Sequence, residues 1–274
     1  MTRSLVYNIP ARLIDAYVGK NVIVRSPLPS ELVYCFWRAE PNSIRFMQLL
    51  STSEDTEVLE SVAQAVPVEI VVNDPATEFQ RLYNYSTLLD NHPVRIAIPV
   101  VPGFSKAAKL AVSLNYAVKL EMEQPDTELL GEVQELLDLY LHRSNVRQPV
   151  EFFHSLLLSF YRDETINIWQ ISEEDPDVVR YINDEGEETI SKRFDGLKVP
   201  RILDAFVNRF GNYQVAEKRE CYNCEFFGRC SSYFKWPDPD YRCDGIKQIF
   251  RTISSAADEM KHDLANFEAM GAKA

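Results

Sequence analysis

The chain has 274 residues, 46% hydrophobic and 26% charged, with a formal net charge of −12 at pH 7. This acidic balance argues against binding nucleic acid through the phosphate backbone, which needs a basic face, and favours a protein or peptide partner. No run approaches the roughly 20 apolar residues that span a bilayer, and the opening MTRSLVYNIP lacks the apolar stretch of a signal peptide, so a cytoplasmic protein with no membrane partner is expected.

Short β-branched runs recur along the chain with helical patterns between them. NVIVR (Asn21 to Arg25) is the first predicted strand, followed by SIRFMQL from Ser43, VEIVVN from Val68, VRIAIP from Val94 and VKLEM from Val118. The last four start at nearly constant intervals, which is a βα repeat. Between them, Asp55 to Val66 and Ala76 to Asn91 read as helices. Ser53 precedes the first, and Asp74 caps the second with Pro75 at its first position. Asp126 to His142 and Val150 to Tyr161 read as two further helices, and INIWQI (Ile166 to Ile171) as a sixth strand. Apolar strands joined by helices imply an α/β fold with a parallel sheet. The regular unit length favours a curved partial (β/α)6 barrel over an open sheet.

After about residue 195 the pattern changes. Pro200 to Phe210 reads as a helix, a cysteine-rich loop follows, Asp244 and Gly245 mark the turn out of it, and Ile246 to Met270 reads as a closing helix. The expected division is a barrel over residues 1–195 and a metal-binding module over 196–274.

Four of the five cysteines, Cys221, Cys224, Cys230 and Cys243, fall within CYNCEFFGRCSSYFKWPDPDYRC. A CxxC pair places two sulfurs on one turn, and the later thiols can complete a tetrahedral set for zinc or an iron–sulfur cluster. In a reducing compartment, clustered thiols are better explained by metal than by disulfides. Cys35 stands alone and reads as an ordinary buried cysteine.

The C-x2-C-x5-C run, the aromatic YFKWP segment, the fourth cysteine and the closing helix together resemble the auxiliary-cluster module, of SPASM or twitch type, of radical SAM peptide maturases. The tract from Val68 through QPVEFFHSLLLSF and EEDPDVVRY is similar to maturases that act on Nif11-type leader peptides. The resemblance implies a radical SAM-like partial barrel. It also implies that the four cysteines ligate one auxiliary [4Fe–4S] cluster, screened by aromatics such as Phe226, Phe227, Tyr233 and Trp236, with structural zinc as the alternative. The chain departs from that family where CxxxCxxC should follow the first barrel strand. SPLPSELVYCFWRAEP holds Cys35 alone, and LLSTSEDTE replaces the glycine-rich acidic stretch expected after the second strand. The resemblance thus implies a protein of ribosomal peptide maturation that binds no SAM by itself. It would bind precursor peptide or a catalytic partner, or be the non-SAM-binding subunit of a heteromeric modifying enzyme. A zinc-stabilised interaction protein is the alternative from another class.

Other residues offer less. His92, His142, His154 and His262 show no metal-binding spacing. His154, beside Glu151, reads as packing or as part of the barrel mouth. Ser105 and Lys106, in the VPGFSK turn that opens a helix, could meet an anion but lack a phosphate-loop spacing. Asn73 and Asp74 end a strand at the edge where barrel sites form, although capping already accounts for Asp74. Glu121 and Glu123 point the same way along a strand, which alone assigns no acid–base role. Glu173 to Glu188 holds eight carboxylates against Arg180 and reads as a solvated loop or a surface for a basic partner segment. No catalytic residue is assigned.

Overall fold

The computed structural model describes residues 5–40, 42–52, 57–62, 66–144, 146–194 and 202–271. Among these residues nine strands form a single sheet: β1 (Val6–Pro10), β2 (Asn21–Ser26), β3 (Ile44–Leu49), β4 (Val68–Val71), β5 (Val94–Pro99), β6 (Ala117–Glu121), β7 (Val150–Glu151), β8 (Val179–Ile182) and β9 (Glu188–Thr189). Their order is β7-β6-β5-β4-β3-β2-β1-β8-β9, all neighbours parallel except the β8–β9 hairpin. From β1 to β7 each new strand joins the outer side of its predecessor. With right-handed crossovers, that order places the connecting helices on one face. The sheet is not closed. β8 does not join β7 but returns to the far side of β1.

The α/β class and five of the six predicted strands are present. The sixth is corrected: Ile168–Ile171 is a helical turn, capped by Asn167, whose side chain accepts from Gln170 N–H. An Asx cap satisfies a helix N-terminus and overrides the β-branched composition. β1 lies in an opening segment not read as a strand. Its Val6 to Pro10 pair with Asn21 to Arg25 on one side, and Val6 to Asn8 with Val179 to Tyr181 on the other.

The helices are α1 (Pro29–Arg38), α2 (Glu57–Glu60), α3 (Pro75–Glu78), α4 (Phe104–Ser113), α5 (Thr127–His142), α6 (Phe153–Tyr161), α7 (Ile168–Ile171), α8 (Phe206–Ala216), α9 (Phe227–Cys230) and α10 (Asp244–Gly271). The helix expected from Asp55 is described only as α2, and its Ser53 cap lies outside the described residues. Asp74 caps α3 as expected, accepting from Ala76 N–H at 3.1 Å. Phe79–Asp90 then continues as a 3-10 helix rather than an α-helix. Leu82, Tyr85 and Leu88 are all fully buried, and that spacing of three matches three residues per turn. The helix expected from Val150 begins only at Phe153, because Val150 and Glu151 pair with β6. Pro200 and Arg201, at the start of the next expected helix, lie outside the described residues, as does the 195/196 division; α8 begins at Phe206. Asp244 and Gly245 open α10 instead of forming a turn. A Cβ on Gly245 would stand 2.7 Å from Leu130 Cδ1, so glycine permits the close approach of α10 to α5.

The C-terminal segment packs onto the sheet. Trp169, fully buried on α7, donates to Ser231 O at 3.0 Å and meets Tyr233, Phe206 and Phe210 edge-on. Gln124, just beyond β6, donates to Phe234 O and Asp238 O, and Tyr241 Oη donates to Pro125 O. Among the described residues no helix is long and apolar enough to cross a membrane.

Candidate functional site

Side chains alternate across a strand, so each inner strand carries two rows. In β4, β5 and β6 one row is apolar and buried: Val68 and Ile70, Val94, Ile96 and Ile98, Val118 and Leu120. The other row carries Glu69, Arg95, Lys119 and Glu121. Register aligns Arg25 with Gln48, Gln48 with Glu69, and Glu69 with Arg95. The sheet thus brings a line of polar groups from four strands together on one face.

These groups are linked in a continuous network. Asn8 Nδ2 donates to Gln48 Oε1 at 3.4 Å, and Gln48 Nε2 donates to Glu69 Oε1 at 2.5 Å. Arg95 pairs with Glu69 Oε2 at 2.5 Å and with both Glu173 oxygens at 2.9 and 3.0 Å. Lys119 Nζ donates to Glu173 Oε2 at 2.8 Å. Arg25 donates to the backbone and side-chain oxygens of Asn8 and to Ile182 O. Burial pushes the Glu173 carboxyl up, but Arg95 and Lys119 outweigh it and hold it well below the ordinary carboxylate range. Lys119 is held charged in turn by Glu173 and Glu69 against its own burial.

Above this ion layer lies a pocket of about 350 Å³, reached by Lys119, Glu121, Glu173, Glu174, Arg193 and Tyr233 among others. Arg95 lines a second hollow of about 670 Å³ with Pro93, Ala117 and Pro149, so the layer stands between the two. Burial raises the Glu121 and Glu174 carboxyls; Lys119 opposes this at Glu121, and Arg193 opposes it at Glu174.

Of the residues expected at a barrel mouth, the structure brings only Asn73 to this pocket, where its Nδ2 donates to Leu50 O at 2.8 Å. Asp74 is the exposed cap of α3. Ser105 is buried inside α4, and Lys106 is exposed with its ammonium 4.1 Å from the Phe79 ring centre. His154 bonds Tyr140 Oη at 2.8 Å on α6. None of these four lines the pocket. The solvated-loop reading of Glu173 to Glu188 is corrected: Glu173 and Glu174 turn inward to buried cations, and Val179–Ile182 and Glu188–Thr189 are strands. The residues missed were Glu69, Arg95, Lys119 and Arg193. A single charge inside an otherwise apolar strand was the available signal for Glu69 and Arg95, and the alternation of Lys119 with Glu121 along β6 was the signal for Lys119.

Cys221, Cys224, Cys230 and Cys243 converge on one small cavity of about 20 Å³, walled by Phe226, Phe227, Ile246 and Phe250. Of the four aromatics expected to screen a cluster, Phe226 and Phe227 line this cavity. Trp236 instead stacks on Phe194 at 4.6 Å, and Tyr233 faces the larger pocket. Ser232 Oγ donates to Cys221 Sγ at 3.3 Å. Glu220 tethers Lys235 and Lys247, at 2.7 and 2.5 Å, on the rim of the same cavity. Burial raises the Cys230 and Cys243 thiols to about 12, with Lys235 opposing it at Cys243. All five cysteines are free thiols. Among the described residues no group of three or more His, Cys, Asp or Glu side chains is arranged to hold a metal ion. All four thiols line the cavity. As a donor set, four sulfurs with two lysines beside them fit a thiolate-bound metal group, because the cations offset thiolate charge. Cys35 is buried on α1, its Sγ 3.4 Å from Ala11 O, and burial lifts its thiol to about 11.

No protein-family model, curated protein or solved structure matches the chain.

Proposed function

We propose that this chain is a radical SAM-like scaffold of peptide maturation that lacks its own SAM cluster and carries one auxiliary iron–sulfur cluster on Cys221, Cys224, Cys230 and Cys243. The observation that carries the reading is the convergence of these four thiols on one cavity walled by Phe226, Phe227 and Phe250. Four thiols on one cavity offer the ligand count of one [4Fe–4S] cluster, and equally that of one zinc ion. Strands added in one direction, with polar side chains collected on one face, support a partial barrel as the scaffold. When bound, the cluster would supply an electron-transfer or purely structural centre. The chain's own contribution is to bury it behind Phe226, Phe227 and Phe250 and to set Lys235 and Lys247 beside its ligands. Cys35, enclosed on α1, gives SAM chemistry no second thiolate set, so the reading places that chemistry on a partner. A precursor peptide, a catalytic partner and a reducing compartment follow from the same reading.

Oxygen-free purification with iron, sulfide and zinc analysis and an absorbance spectrum tests it. The expected result is iron and sulfide in equal amounts, with visible charge-transfer absorbance. Colourless protein with one zinc and no iron would overturn the cluster and leave a zinc-stabilised interaction protein. Formation of 5′-deoxyadenosine by the chain alone would overturn the division of labour.

A further inference from the structure

The geometry points to the 350 Å³ pocket as a binding site for a carboxylate-bearing ligand, with the Arg193 guanidinium as its anchor. The Arg193 side chain is only 5% exposed, and its Nε lies 2.9 Å from Glu174 Oε2. Its Cζ lies against two adjoining aromatic rings, 4.1 Å from the Tyr233 centre and 5.2 Å from that of Trp169. Yet Nη1 and Nη2 have no hydrogen-bond partner, while the buried Oγ of Ser191, which lines the same pocket, serves Glu174. A buried cation with unmade hydrogen bonds is costly, and nothing in the fold recovers that cost. A ligand that completes the fork would recover it.

The chemistry of the ligand follows from the charges around the fork. A planar guanidinium edge matches a carboxylate through two parallel N–H···O bonds. The neighbouring cations are engaged elsewhere: Lys119 with Glu173, and Arg25 with Asn8 and Ile182. Glu121, Glu123 and Glu174 line the same space, with Lys192 at its exposed rim. A dianionic phosphate would meet these carboxylates at a site with one buried fork to offer, whereas a monoanion neutralises Arg193 and stops there. Glu121 is placed to take a cationic or hydrogen-bond-donating end of the same ligand. An amino acid or a peptide terminus has both. The inference stands on the pocket alone and does not depend on what the cysteines hold.

Calorimetric titration of the full chain, purified with whatever metal it carries, tests the site with five probes. These are L-alanine, L-alaninamide, inorganic phosphate, and a short peptide as its C-terminal acid and as its amide. An acid should bind and its amide should bind at least about tenfold more weakly, because one charge-assisted pair is lost. R193K keeps the charge but loses the fork and should weaken binding roughly 10- to 100-fold. E174Q removes the competing carboxylate and should tighten it, a change that a purely packing role for Arg193 would not produce. Binding of the free amino acid identifies a small-molecule site, and binding of the peptide acid alone identifies a peptide site; either supports the inference. Equal binding of acid and amide, tighter binding of phosphate, unchanged affinity in folded R193K, or no response to either acid would overturn it. Should R193K fail to fold, the acid–amide comparison on the unaltered chain and the E174Q titration still decide.

Discussion

Replacing Glu173 by glutamine would strike the hub of the interior ion layer. Its carboxylate receives both contacts from Arg95 and the 2.8 Å contact from Lys119. The change leaves Lys119, whose side chain is 10% exposed, without its hydrogen-bonded counter-ion, while Arg95 keeps Glu69. Removing one partner of a buried pair costs about 3–5 kcal/mol. Glu173 still shows 24% of its side-chain surface to the pocket, and glutamine retains one acceptor, so the low end, about 3 kcal/mol, applies. For a chain of this size that is roughly 6 to 12 °C in the melting midpoint. Acidification supplies a second readout. Because the folded carboxyl titrates below the unfolded value of about 4.3, its contribution is complete above that value and is lost as pH falls through the lower, folded one. The difference between the two proteins in urea melts should therefore be constant near neutrality and shrink through the acid range. Replacing Lys119 by methionine as well should return much of the loss, since the stranded charge goes with it. A loss below about 1 kcal/mol, or a double variant no better than E173Q, would refute the idea that Glu173 neutralises two buried cations.

Glu121 should behave in the opposite sense. Burial raises its folded carboxyl, so ionisation weakens the fold above the unfolded value; E121Q should melt higher at neutral pH and lose that advantage below about pH 4.3. Gly103 caps α4 at φ +92, where a Cβ would stand 2.6 Å from Ala76 Cα. G103A combines left-handed strain with a backbone clash and should cost at least about 2 kcal/mol in chemical denaturation.

How much of this was legible follows from where each partner lies in the chain. The strand spacing was visible because every inner strand repeats the same apolar row, and that row depends only on local composition. The acid segment was misread because its density of charge looks local, whereas the groups that neutralise Glu173 lie 78 and 54 residues earlier, on β5 and β6. Ile166 to Ile171 failed for the reverse reason: a local cap at Asn167 defeats a composition that otherwise reads as strand. β1 was hidden because Asn8 interrupts its apolar pattern, yet that asparagine receives Arg25 and reaches Gln48.

The same reasoning separates the two parts of the candidate site. The cysteines were legible because four thiols this close in sequence can be gathered by a short module, and all four do reach one cavity. The pocket was not, because the fold assembles it from charges far apart in the chain, on β6 and in the segments around Glu173 and Arg193, each unremarkable alone. Tyr233 joins the two: its ring lies against Arg193, and Ser232, its neighbour in the chain, donates to Cys221. A shift of the cysteine module would therefore move the ring that orients the guanidinium, while the ion layer beneath, paired within itself, would hold its place.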